Sequence, residues 1–382
     1  MTALLPEELR RVWFAASSLP LWRMEDFLRD TEDLSRIEEA FLRRDPALQA
    51  CLTESEWRQM AESHSVSRLE QIRAEMERHE MGLLTVLDEA YPERLRNIKD
   101  PPAALFYQGS LSALDRHTVA MVGSRRATYD GLKATEKKAE QLSRRGVTVI
   151  SGLAYGIDAA AHRGCLKGEA PTIAVLGCGL DQMYPAGNAG LKREILKGGG
   201  LIFSEYLPGE KPLAAHFPIR NRIISGLGEA VILMEARMPS GSMRTVEHAL
   251  EQGRELFVYP GDPESEAFSA NHILLREGAR FFTQVSHVME DMGWTDPEDT
   301  SLRGLDNGDD VRQNVGCSGE GAALSENEQK VLEALRPGEL GFDELTEKTG
   351  IPAGALSGTL TMMQIRGLIA AKPGKRFAAA GK

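Results

Sequence analysis

Six short apolar runs separated by helix-like stretches constrain the fold of this chain more than any other feature. They lie at 118–122, 147–150, 172–176, 201–203, 230–234 and 256–259. The runs lack the polar–apolar alternation of a sheet with one wet face, which indicates a parallel sheet covered by helices on both faces. One such helix is predicted over 131–145, and Gly146 after it is a typical C-terminal stop. The pattern predicts an α/β fold with a Rossmann-like parallel sheet core over residues 86–294.

The segments on either side of this core predict smaller units. Residues 1–80 contain no strand pattern, and apolar residues recur at helical spacing over 66–76, which predicts an N-terminal helical, SAM-like domain over residues 1–85. Residues 295–322 are acidic and glycine-rich, as is typical of a disordered linker. In residues 323–382, three helical stretches precede two short strands around a Pro-Gly turn. This order predicts a C-terminal winged-helix domain.

The roles of the two flanking domains stay open between DNA binding and protein docking. A DNA-binding helix-hairpin-helix needs a glycine in its hairpin, and the turn at 16–20 has none, which favours an accessory or docking role. The third helix of the C-terminal domain, predicted over 352–367, carries few side chains suited to reading base edges. Basic residues gather instead in the wing, at Lys372, Lys375 and Arg376. Docking or weak DNA binding is therefore favoured there over sequence-specific reading of duplex DNA.

Charge and cysteine usage narrow the class of protein. Residues 1–80 and 295–322 carry net charges of −6 and −5, which together account for the net charge of −11, so clustered arginines elsewhere can still create a local positive field. The four cysteines form no CxxC pair, which argues against a disulfide framework or a zinc site and fits a reducing cytosol. No apolar run approaches the roughly 20 residues of a membrane span, and the N-terminus has no secretory core. We expect a cytoplasmic protein that needs no membrane, cofactor or metal.

A loop rich in small residues follows the first predicted strand of the core. Gly123 allows close backbone approach to a ligand, Ser124 offers a hydroxyl, and Arg125 can hold a phosphate through two hydrogen bonds. The start of the following helix is expected to add free amides. The segment has neither a Walker lysine nor the GxGxxG fingerprint of dinucleotide-binding folds. It predicts a phosphate site of another kind.

Other glycine- and serine-rich loops, with one exception, reach the same rim of the sheet. Parallel strands bring their carboxyl ends to one edge, where ligands of such sheets bind. Arginines on this rim would make a pocket positive, and two tyrosines are candidate stacking surfaces for bases, although packing of each against its own helix is the simpler expectation. The candidate binding residues are Gly123, Ser124, Arg125, Arg126, Ser151, Gly152, Tyr155, Gly156, Gly177, Gly179, Tyr184, Arg220, Asn221, Arg222, Ser240, Gly241 and Ser242.

Taken in order, these segments resemble the DprA/Smf family of DNA-processing proteins. The similarity is carried by VAMVGSRRATYDG at 119–131, VISGLAYGIDAAAH at 149–162, VLGCGLDQMYP at 175–185, FPIRNRIISGL at 217–227, SGSMRT at 240–245 and ALEQGRELFVYPG at 249–261. The resemblance implies a non-enzymatic protein that binds single-stranded DNA in the Rossmann-like pocket and protects incoming strands in natural transformation. It also implies loading of the RecA recombinase, a homodimer with its interface near 271–275, and a DNA contact first of all at Arg125.

The sequence departs from the family pattern in three places. Ala186 and Gly187 stand where family members often have a basic residue, which weakens the expectation of one phosphate contact. Arg244 replaces an aliphatic residue, and Ser269-Ala270 stands where a glycine is usual. These last two departures leave the local loop geometry open.

The strongest competing interpretation is an enzyme. The same core resembles the lysine-decarboxylase-like family of nucleoside-monophosphate phosphoribohydrolases, whose PGGxGTxxE loop supplies a catalytic glutamate. Here His248 stands at the glutamate position, and Glu247 lies one residue early, a rotation of about 100° on a helix.

Two other kinds of enzyme find less support in the sequence. A nicotinamide-dependent oxidoreductase is disfavoured because the chain lacks the GxGxxG fingerprint. The pair of Asp158 and His162 has no third metal ligand nearby. A binding protein is favoured, with the phosphoribohydrolase as the alternative.

Overall fold

The 382-residue chain forms two compact units, Met1–Leu305 and Asp306–Lys382. The computed structural model describes residues 4–29, 31, 33–295, 326–336, 338–351, 356, 359, 360, 363, 368–372 and 376–379. Each unit has an apolar core of its own. The linker predicted at 295–322 lies, beyond residue 295, outside the described residues. The domain boundaries drawn from the sequence therefore stay predictions.

The chain begins with short helices, as predicted for its N-terminal part. They are α1 (Glu7–Ser17), α2 (Glu25–Arg29), α3 (Leu34–Arg43), α4 (Pro46–Cys51), α5 (Glu54–Ser63) and α6 (Val66–Arg78), with a 3-10 turn at Leu21–Arg23. Trp13 is fully buried among them, and its Nε1 donates to the Met60 carbonyl at 3.1 Å. The fully buried Glu38 carboxylate accepts hydrogen bonds from the Leu5 amide and from Arg10, so its charge is compensated.

A nine-stranded sheet follows, in the order β1-β2-β6-β5-β4-β3-β7-β8-β9. Its strands are β1 (Gly82–Thr85), β2 (Ala104–Gly109), β3 (Thr118–Val122), β4 (Thr148–Ser151), β5 (Thr172–Leu176), β6 (Leu201–Ser204), β7 (Ala230–Leu233), β8 (Glu255–Val258) and β9 (Arg280–Phe281). Strands β3 to β9 pair in parallel, whereas β1 and β2 pair antiparallel at one edge. All six predicted strands are present, as β3 to β8.

Helices cover both faces of this sheet. They are α7 (Glu93–Arg96), α8 (Tyr129–Arg144), α9 (Ile157–Cys165), α10 (Ala189–Lys197), α11 (His216–Leu227), α12 (Ser242–Glu251), α13 (Ser269–Arg276) and α14 (Val285–Asp291). Alternate residues of β3 enter different cores: Val119 and Met121 pack with α8, α9 and α14, whereas Ala120 and Val122 pack with α11 and α12. Burial on both faces explains the continuous apolar runs and confirms the predicted α/β class.

The strand order reverses at β3, which lies between β4 and β7. From β3 the chain builds the sheet outward through β4, β5 and β6, and then returns to the other side of β3 with β7 and β8. Loops at the carboxyl ends of β3 and β7 must therefore diverge, which opens a crevice at this point.

The second unit has the elements expected of a winged helix. It contains α15 (Glu326–Leu335), α16 (Phe342–Thr349) and a three-stranded antiparallel sheet of β10 (Leu340–Gly341), β11 (Ile369–Lys372) and β12 (Arg376–Ala379). Residues 356, 359, 360 and 363 are helical, and the rest of the third predicted helix and the Pro-Gly turn lie outside the described residues. Over the described parts of the whole chain, no helix has the length and apolar character that crossing a bilayer requires.

Candidate functional site

A cleft of about 850 Å³ opens at the carboxyl ends of β3 and β7. Ten of the predicted residues line it: Gly123, Ser124, Arg125, Arg126, Tyr184, Arg220, Asn221, Ser240, Gly241 and Ser242. Gly152, Tyr155 and Gly177 line a smaller adjoining cavity of about 30 Å³, which Arg125 and Tyr184 share. The remaining four predicted residues, Ser151, Gly156, Gly179 and Arg222, line neither cavity. Thirteen of the 17 residues predicted from the sequence therefore line these two adjoining cavities.

The loop after β3 projects two arginines toward solvent. Arg125 and Arg126 are both exposed, and the Arg126 amide donates to Ser124 Oγ at 3.1 Å. The guanidinium carbon of Arg125 lies 5.0 Å from the ring centroid of Phe217. Phe217 also lines the cleft, but it is absent from the candidates drawn from the sequence. Phe217 could have been predicted as a cleft residue, because it lies three residues before Arg220 in the segment at 217–227.

The start of α8 does not offer all the free amides that the sequence suggested. Thr128 is the N-cap, and its Oγ1 accepts a hydrogen bond from the Gly131 amide at 3.0 Å. The Glu235 carboxylate, which follows β7, accepts from the Thr128 amide at 2.9 Å and from Thr128 Oγ1 at 2.6 Å. The expectation is wrong for these amides, because oxygens of the protein already accept from them.

Arg220 lies at the floor of the cleft and is only 3% exposed. Its Nη1 donates to the Gly152 carbonyl at 2.8 Å and also to the Val175 carbonyl, so it joins the ends of β4 and β5. Burial lowers the pKa of Arg220 to about 10; the nearby Asp158 carboxylate opposes this shift, and Arg125 adds to it. Arg220 therefore supports the cleft from within and adds positive charge below its surface.

Arg222 does not make the cleft positive, contrary to the expectation from the sequence. Its guanidinium forms a two-bond pair with Glu205, at 2.8 Å and 2.7 Å, and its Nε lies 3.2 Å from an Asp100 carboxylate oxygen. The side chain is 9% exposed. Two residues along α11 from Arg220, it points away from the cleft, because successive positions on a helix differ by about 100°.

Ser151 and Gly156 shape the site without lining it. Ser151 is fully buried, and its Oγ donates to the Met121 carbonyl at 2.7 Å, so it joins β4 to β3. Gly156 has a φ of +78°, and a Cβ there would lie 2.2 Å from the Ser124 carbonyl oxygen. The loops after β3 and β4 therefore approach closely at a position that requires glycine.

Aromatic side chains line one side of the two cavities. Tyr155 and Tyr184 are 52% and 42% exposed, so neither is fully packed against its own helix. Tyr184 lies 5.4 Å from Phe217 between ring centroids, with the rings tilted by 38°. The rim therefore places three exposed or partly exposed rings near the Arg125 guanidinium.

The two groups considered as a metal pair are both buried, and Asp158 is also part of the cleft lining. Asp158 accepts from the Ala154 amide at 3.4 Å, and burial raises its pKa. His162 is fully buried, with Nδ1 2.7 Å from Thr172 Oγ1. Among the described residues, no group of three His, Cys, Asp or Glu side chains could hold a metal ion.

Sequence comparisons place this architecture in a known family. The DNA recombination-mediator protein A family matches residues 82–293, and the DprA winged helix domain matches residues 319–375. The DNA processing protein DprA of Streptococcus pneumoniae is 44% identical over 205 residues, which cover 54% of this chain and 72% of that protein. Protein Smf of Escherichia coli is 36% identical over 292 residues, which cover 76% of each chain.

Solved structures agree with this assignment. The X-ray structure of S. pneumoniae DprA matches with a TM-score of 0.61 and 34% identity, covering 74% of this chain and 95% of that one. DprA from Helicobacter pylori, whose structure describes a single-stranded DNA binding mode, matches with a TM-score of 0.51 and 31% identity, covering 56% and 95%. The resemblance seen in the sequence is confirmed: the chain belongs to the DNA recombination-mediator protein A family, whose members are called DprA or Smf.

Proposed function

We propose that this protein binds single-stranded DNA in the cleft, without altering the strand chemically, as part of DNA processing in transformation. The observation that carries the proposal is the exposed Arg125 guanidinium, 5.0 Å from the Phe217 ring on the wall of a cleft of about 850 Å³. Such a guanidinium can hold a phosphate while a neighbouring ring stacks on a base. The single-stranded DNA binding mode described for the H. pylori relative supports the same ligand here.

The exposed rings favour a single strand over a duplex. Tyr155, Tyr184 and Phe217 can stack on bases only where the base faces are free, and in a duplex those faces are covered by neighbouring base pairs. Contacts from Arg125 and Arg126 to phosphates would add affinity without reading sequence. We therefore expect binding that tolerates any base order and weakens strongly with salt.

The test is a salt titration of fluorescence anisotropy on a labelled single strand. Arg125→Ala should reduce affinity about tenfold to a hundredfold, since a hydrogen bond to a charged group contributes roughly 1.5–3 kcal/mol. The slope of log affinity against log salt should become shallower by about 0.7. The matched control is Arg68→Ala, which removes an exposed arginine from α6. Unchanged affinity and slope in a folded Arg125→Ala protein would place the DNA site elsewhere.

We further propose that the bound strand is passed to the RecA recombinase by a homodimer. Within 271–275, the segment suggested for the dimer interface, Asn271 is fully buried and its side chain accepts from the Ala236 amide at 2.9 Å. Ile273 is 38% exposed and is the better candidate for a contact between protomers. Ile273→Asp should lower the mass measured by light scattering and slow RecA filament assembly on single strands. A variant that stays dimeric would contradict this interface.

The phosphoribohydrolase alternative needs a glutamate from the loop at 239–248, whereas the carboxylates that line the cleft, Asp158, Glu235 and Glu266, come from other segments. Glu247, the nearest acidic residue to the expected catalytic position, is exposed on α12 and pairs with Arg244 at 2.8 Å. It is not among the residues that line the cleft. The arrangement therefore favours a binding protein.

A further inference from the structure

We infer that Glu235 is a positioning residue for DNA binding, because it holds the loop at 124–128 so that Arg125 and Arg126 face the cleft. This inference rests on the proposed function of Arg125. Glu235 lies just beyond the end of β7, the strand next to β3 in the sheet, and is 1% exposed.

One residue secures both ends of the loop. The Glu235 carbonyl oxygen accepts from the Ser124 amide at 2.7 Å. Its carboxylate accepts from the Thr128 amide at 2.9 Å and 3.1 Å and from Thr128 Oγ1 at 2.6 Å. Arg125 and Arg126 lie between these two attachment points, so the path of the loop that carries them is fixed at each end by the same residue.

Residues on both sides of the loop pack closely against Glu235. A Cβ at Gly131 would lie 2.0 Å from Glu235 Oε2, and a Cβ at Gly123 would lie 2.8 Å from the Glu235 carbonyl oxygen. Both distances are too short for any side chain. The contact therefore demands glycine at 123 and 131, and a side chain with a hydroxyl at 128.

The direction in which DNA affinity changes when Glu235 is neutralised distinguishes a positioning role from a purely electrostatic one. Glu235 lines the cleft, where its negative charge opposes phosphate binding. A carboxylate that acted only through its charge would weaken DNA binding, and neutralising it would strengthen binding. A carboxylate that positions Arg125 acts in the opposite direction: neutralising it frees the loop and weakens binding. Here the start of α8 compensates the charge, since helix N-termini favour anions.

The experiment compares Glu235→Gln with Glu266→Gln, which neutralises an exposed carboxylate on the same cleft. Glu235→Gln should lose about tenfold or more in affinity for a labelled single strand, with a salt slope shallower by about 0.7. Glu266→Gln should bind equally or more tightly. Thr128→Val should weaken binding as Glu235→Gln does, whereas Thr128→Ser, which keeps the hydroxyl, should not. Combining Glu235→Gln with Arg125→Ala should cost little beyond Arg125→Ala alone.

A second measurement needs no DNA. Hydrogen exchange of the amides at 124–128 in the full-length protein should accelerate in Glu235→Gln and Thr128→Val and stay unchanged in Glu266→Gln. Equal or tighter DNA binding by folded Glu235→Gln, or unchanged exchange in this loop, would overturn the inference. If Arg125→Ala retains full affinity, the proposed DNA site and the positioning role both fall. If Arg125→Ala loses affinity and Glu235→Gln does not, only the positioning role is lost.

Discussion

At the residue scale, guanidinium groups close together in the fold have different roles because they meet different partners. Arg125 is exposed on the cleft, Arg220 is buried against the ends of β4 and β5, and Arg222 pairs with Glu205. The sequence predicted the loop at 123–126, because a glycine directly after a buried strand indicates a loop whose backbone can approach a ligand. They did not predict Glu235, whose bond to Thr128 spans 107 residues and depends on β7 lying beside β3.

Replacing Arg222 should affect the fold and spare DNA binding. Arg222→Met leaves the Glu205 carboxylate unpaired, which is expected to lower the free energy of unfolding by about 2–3 kcal/mol, below the range for a fully buried pair because Glu205 is 25% exposed. Arg244→Met, which breaks an exposed pair with Glu247, should cost less than about 1 kcal/mol. Denaturant unfolding measures both. A salt slope for DNA binding that becomes shallower in Arg222→Met would contradict this assignment.

His162 should make the fold sensitive to acid. Burial lowers its pKa to about 3, whereas the unfolded chain binds this proton near pH 6.5. The stability from neutral His162 is therefore fully present above about pH 6.5 and is lost as pH falls toward 3, by up to about 1.4 kcal/mol per pH unit. His162→Asn should remove this part of the slope when unfolding is measured between about pH 6 and pH 4. His248→Asn controls for the substitution, and parallel curves for wild type and His162→Asn would refute the prediction.

At the element scale, the sequence predicted the strands that are buried on both faces and missed those at the edges. The runs at 118–122 and 172–176 coincide with β3 and β5, because a strand covered on both sides must be apolar throughout. β1 and β2 were not predicted, and each is buried along only part of its length: β1 at its last two residues and β2 at its first three. The two-residue β9 is too short to give any periodic signal.

The contact between α8 and α9 depends on one glycine. A Cβ at Gly164 of α9 would lie 2.1 Å from the Glu136 carbonyl oxygen of α8, so the two backbones lie almost directly against each other. Gly164→Ala should force the helices apart and lower the free energy of unfolding by about 1–3 kcal/mol. Gly190→Ala in α10, where nothing lies within 4 Å of the added Cβ, should be neutral or stabilising by up to about 1 kcal/mol. Equal effects of the two substitutions in urea unfolding would contradict this packing.

At the scale of the whole molecule, the net negative charge is concentrated in two segments of the chain. The acidic residues that make the net charge −11 lie in excess at 1–80 and 295–322, and the core between them is close to neutral. The composition alone therefore gave no sign of the cleft proposed to bind phosphate, whose lining includes three exposed arginines, Arg125, Arg126 and Arg237. In the second unit, Arg376, one of the basic residues predicted for the wing, pairs with Glu339 at 3.5 Å and Glu344 at 3.7 Å.

Removing residues 296–382 should leave most of the affinity for single strands. Every residue that lines the cleft lies between 122 and 267, and the cores of the first unit are built from residues up to Trp294. The removed segment holds 10 basic and 14 acidic residues, a net charge of −4, so its loss should not reduce long-range attraction of DNA. We expect a change in Kd of less than tenfold, or about 1.4 kcal/mol. Fluorescence anisotropy at one fixed salt concentration compares the two proteins, and Arg125→Ala in the shortened protein should cost as much as in the full chain. A larger loss on truncation would make the winged helix a principal DNA-binding surface.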